Sequence, residues 1–170
     1  MTTTGSATPP TYRRTGATHT RVPSYAVLVG IAYGVCVVGM SVSIVAEMVF
    51  GYTGSGDQPR SLGEQLAGVV GFGTLGLVVS VLAATRLTSD RQRRIGAIAL
   101  GVAAVPSLAF FWCGMPALIG AAAAAVAGLT RGRTPLAGTP RVFGLVGLAF
   151  AIINPLANGA AVIVSWLTTS

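Results

Sequence analysis

Lysine is absent from these 170 residues, histidine occurs once, and there are only four acidic side chains. A chain this poor in titratable groups has little from which to build a reaction centre. The lone histidine, His19, lies in a leading segment rich in Thr, Pro and Gly. No H-E-x-x-H, Gly-x-Ser-x-Gly, P-loop or metal-spaced Cys/His group occurs. The sequence therefore implies no enzyme activity, no catalytic residues, no metal and no cofactor. Cysteine is also scarce. Cys36 falls near the middle of the first apolar run, and Cys113 falls at an interruption expected at a membrane surface. A disulfide needs Cα atoms within about 7 Å, so two such different depths leave both residues as small hydrophobes.

Charge of either sign is sparse. Charged residues make up 9% of the chain, against roughly a quarter in a soluble domain. Hydrophobic residues make up 52%, and the mean hydropathy is +0.74. Such a chain cannot cover itself with polar surface. It reads instead as an all-α, polytopic transmembrane helical bundle whose main partner is the lipid bilayer. All eleven basic residues are Arg, which fits a high-GC coding genome as well as any chemical need, and the net charge is +7. The arginines gather at the ends of apolar runs, where such side chains meet anionic headgroups. No basic stripe with interleaved aromatics is present, which argues against nucleic acid as a partner.

Four apolar runs stand out, and one is over-long. Residues 1–24 read as a disordered cytoplasmic tail. The run after them, Tyr25 to Phe50, is too long for the h-region of a cleaved signal and reads as a retained anchor. A second run, 62–84, follows a polar turn, and a last one covers 142–167. Between them, Ile95 to Thr130 would form a helix of about 54 Å against a hydrocarbon core of about 30 Å. The segment "CGMP", Cys113 to Pro116, cuts this run into 95–112 and 116–130, because Gly then Pro is strong helix punctuation.

Charge distribution chooses the threading. Five spans with a cytoplasmic N-terminus place every arginine except Arg60 on the inner side and leave the C-terminus outside. The four-span alternative moves Arg131, Arg133 and Arg141 outside, against the positive-inside bias. The expected domain is thus 25–167, with five spans in the cell membrane.

Residues Arg93 to Arg133 carry an "ALG" opening, an aromatic-Cys-Gly turn, a return helix of small residues and closing arginines. In these features the stretch resembles the Gly/Ala-rich helical hairpin of actinobacterial membrane proteins grouped as domain of unknown function 4190. The resemblance covers about a quarter of the chain. It implies a bacterial membrane protein and brings no activity with it.

Two polar features remain. Asn154 and Asn158 in "NPLAN" lie four apart on one helix face near mid-membrane, and Pro155 frees a carbonyl one turn earlier. These groups either line a solute path or bond a neighbouring helix. Glu47, the most embedded acid, lies near Asp57, Arg60 and Glu64, as a cation or proton site or as an interfacial ion pair with Arg60. Small residues at helical spacing mark candidate packing faces: Gly30 and Gly34 in the first span, Gly68 and Gly71 in the second, and Gly120 and Gly128 in the fourth. Such faces serve packing within the chain, a homo-oligomer or a membrane-protein partner. The leading expectation is a non-catalytic packing, scaffolding or partner-regulating protein. A small-solute or ion transport component is the alternative.

Overall fold

A computed structural model describes residues 22–50 and 61–169. The expected tail, apart from Val22–Ser24, and the outer turn with Asp57 and Arg60 lie outside the described residues. Among the described residues there are five helices and one tight segment. They are α1 (Tyr25–Phe50), α2 (Leu62–Arg86), α3 (Asp90–Ala104), a 3₁₀ segment (Pro106–Cys113), α4 (Met115–Val126) and α5 (Thr139–Thr169). Within α1, Gly34–Gly39 form a π-helical turn. There is no strand among the described residues.

Local chemistry sets the boundaries. Ser24 caps α1 by accepting from the Val27 N–H at 3.3 Å. Ser61 with Glu64 and Ser89 with Gln92 form capping boxes at the starts of α2 and α3. Pro106 has no N–H to continue α3, and the chain tightens into the 3₁₀ segment, bent from α3 by 69°. Gly114 then takes a left-handed conformation (φ 75°), and α4 starts with Pro116 in its first turn. The turn expected from "CGMP" forms where the sequence puts it.

Among the described residues three helices, Tyr25–Phe50, Leu62–Arg86 and Thr139–Thr168, are long and apolar enough to cross a membrane. A fourth exists only if α3 and the bent segment count as one span. Neither of the two spans expected over 95–112 and 116–130 is by itself a helix of membrane-crossing length. The first is broken at Val105, and α4 has 12 residues, about 18 Å of helix.

α4 is the centre of the bundle. Every residue from Pro116 to Val126 is buried, and α1, α2, α3 and α5 all pack against it. Its alanines explain the arrangement, since lipid offers no hydrophobic drive and contact between helices depends on close backbone approach. The outer faces of the long helices carry exposed Val27, Ile31, Leu75, Val78, Leu145 and Ile153.

The broken hairpin reaches only the middle of the long helices. A Cβ built on Gly114 would lie 2.6 Å from Cys36 Cβ and 3.4 Å from the Ala32 carbonyl oxygen, and one built on Gly73 would lie 3.2 Å from that of Cys113. Cys36 is eleven residues from Tyr25 and fourteen from Phe50; Gly73 is eleven from Leu62 and thirteen from Arg86. The expectation of different depths for Cys36 and Cys113 is thereby corrected. Both are buried free thiols in one neighbourhood of the core.

The arginine-bearing ends share the opposite end of the bundle. The Arg131 N–H donates to Pro23 O at 3.2 Å, and the Arg133 guanidinium donates to Ala84 O. Buried Arg93 donates from Nε to Val126 O at 3.1 Å and from a terminal nitrogen to Thr134 O at 2.8 Å. The start of α1 and the ends of α2 and α4 are thus tied into one face.

Candidate functional site: the asparagine pair at the hairpin tip

The 3₁₀ segment closes at the Phe111 carbonyl, which accepts from the Gly114 N–H at 3.1 Å and, in the middle of an apolar bundle, can take further donors. α5 supplies two. Asn154 and Asn158 are both buried, and the Nδ2 of each donates to Phe111 O at 3.0 Å. Asn158 Nδ2 also donates to the Asn154 carbonyl at 3.0 Å, and the Cys36 thiol donates to Asn154 Oδ1 at 3.6 Å. The four-residue spacing does put both amides on one inward face. Their shared acceptor is a backbone atom, and nothing in the side-chain pattern points to it.

One atom of the cluster has no partner. Asn158 Oδ1 is buried and accepts no hydrogen bond among the described residues. The amide cannot relieve this by turning over, because its Nδ2 already serves two carbonyl acceptors.

Aromatic rings close the outer side of the tip. Phe72 lies 4.8 Å from Phe110 and meets Trp112 edge-on at 6.3 Å between centroids. A Cβ on Gly68 would sit 3.5 Å from the Trp112 ring. Towards the arginine end, Ser80 donates to Leu118 O at 2.7 Å, which leaves the Tyr25 hydroxyl as donor to Ser80 at 2.9 Å.

The other expected residues divide. Gly120 is a true backbone contact, facing Gly147 of α5. Gly128 is not on a helix: it occupies a left-handed turn (φ 78°) where a Cβ would meet Thr134 O. Among the described residues nothing lies within 4 Å of the Cβ positions of Gly30, Gly34 and Gly71, so none of the three makes a close approach there. Gly73, Gly101, Gly144 and Gly147 do. The sequence reading missed Gly101, Gly144 and Gly147 as packing sites because spacing alone does not reveal which face turns inward. Glu47 is exposed on α1, apart from the asparagine cluster, and its proposed partner Arg60 lies outside the described residues. Glu64 serves the α2 cap. Among the described residues, no three of His, Cys, Asp and Glu gather as a metal site.

No protein family, curated protein or solved structure matches this chain.

Proposed function

We propose that the chain is an integral membrane protein without chemistry of its own, with a packing, scaffolding or partner-regulating role inside the bilayer. It crosses the membrane three times, through α1, α2 and α5, and α3–α4 form a re-entrant hairpin from the cytoplasmic side. The N-terminus is cytoplasmic and the C-terminus outside. This threading keeps the arginines that flank the hairpin inside, as five spans would, and it fits the 18 Å of α4. The resemblance of Arg93–Arg133 to domain of unknown function 4190 concerns this same hairpin.

The convergence of Asn154 and Asn158 on Phe111 O carries the reading. Both amides are spent on the protein's own backbone, which is what a latch requires and a solute path does not. A single observation favours the transport alternative, the unpartnered Asn158 Oδ1.

The test is Asn154→Leu/Asn158→Leu, judged by stability in detergent and by cellular phenotype, alongside co-purification in mild detergent. A latch predicts a destabilised double variant and a stoichiometric membrane partner for the wild type. Normal folding with lost solute flux would replace this reading with the transport one.

A further inference from the structure

At the arginine end, the start of α1, the 128–135 loop and the first turn of α5 line a half-open cavity of about 1010 Å³. Arg131, Arg133 and Arg141 line it, with Val22, Val27 and Leu129 as apolar wall. No carboxylate lines it, and among the described residues none of the three arginines forms a salt bridge.

The cavity is held open by its own scaffold. Arg93 fixes the loop through Val126 O and Thr134 O, Leu136 N–H donates to Ala127 O at 2.9 Å, and the Arg131 N–H ties the loop to Pro23. Gly128 and Gly132 supply the left-handed corners. Three cations are thus gathered with no compensating anion, beside apolar side chains and at the level where headgroups would lie.

We propose that this cavity binds the phosphodiester headgroup of an anionic phospholipid, with the arginines on the phosphate and Val22, Val27 and Leu129 against the glycerol and upper acyl chain. Guanidinium matches phosphate in charge and in fork geometry, and the apolar wall distinguishes a lipid from a free anion. The inference rests on the membrane reading above.

The experiment measures binding of phosphatidylglycerol, phosphatidylcholine and inorganic phosphate to the full chain in neutral detergent, by native mass spectrometry and thermal shift. Each basic residue near an anionic headgroup contributes roughly a factor of five, so Arg131→Gln/Arg141→Gln should weaken phosphatidylglycerol binding about 20- to 30-fold. The control Arg91→Gln/Arg94→Gln removes the same charge from α3 and should change it less than about twofold. Arg141→Gln alone, outside the loop, should cost about fivefold and guards against misfolding of the pair. Binding of phosphate as tight as that of the lipid overturns the lipid assignment and makes the site one for a free anion. Equal weakening by the control pair, or equal binding of phosphatidylcholine, overturns the proposal. A chain that stays soluble without detergent sinks the membrane reading instead.

Discussion

Gly120 of α4 and Gly147 of α5 meet backbone to backbone. A Cβ on Gly120 would lie 2.3 Å from the Gly147 carbonyl oxygen, and one on Gly147 would lie 2.6 Å from that of Gly120. Neither neighbour is a flexible side chain that can step aside. Gly147→Val should therefore force the central helix and α5 apart, at a cost of about 1 to 3 kcal/mol. Gly71→Val has open space around it and should change stability by less than about 0.5 kcal/mol. Melting midpoints in one detergent compare the two, and equal losses would contradict the assignment of inner and outer faces.

The asparagines should behave as a coupled pair. Either single Leu variant leaves Phe111 O with two donors, the Gly114 N–H and the other amide, and should cost about 0.6 kcal/mol, the mean for polar contacts between membrane helices. The double variant leaves Phe111 O only the Gly114 N–H, and because both amides share this one network it should depart from the sum of the singles by about 0.5 kcal/mol or more. A double-mutant cycle reads this directly, and strict additivity would deny the shared acceptor.

Arg93 should matter far more than its neighbour. It is buried and satisfies a carbonyl in the last turn of α4, where a cation also complements the helix dipole. Arg93→Leu should cost about 2 to 4 kcal/mol, whereas exposed Arg94→Leu should stay within about 0.5 kcal/mol. Chemical unfolding of both variants in detergent is the check.

Threading can be tested with single cysteines in a chain with both native cysteines replaced. Ala109 is exposed on the 3₁₀ segment, Thr134 on the loop between α4 and α5 and Thr168 near the end of α5. In intact cells an impermeant maleimide should modify Thr168→Cys but neither Ala109→Cys nor Thr134→Cys. Reaction at Ala109 would bring the hairpin tip to the outer surface and restore five spans.

Much of this was legible in residue order. Apolar runs bounded by arginines define three membrane-length helices, because segment length and flanking charge are properties of the chain alone. Cys113–Pro116 mark the turn, since a left-handed glycine followed by proline is a local constraint. The Asn154/Asn158 spacing fixes their common face in the same way. Tertiary structure decided how deep the hairpin goes. That depth depends on α4 being thin enough for four helices to close around it, and on Phe111 O finding two amides on α5. It also decided which glycines count. Gly30 and Gly147 look alike in sequence, but a missing side chain matters only where another backbone fills its place, and that is set by how the helices rotate against one another.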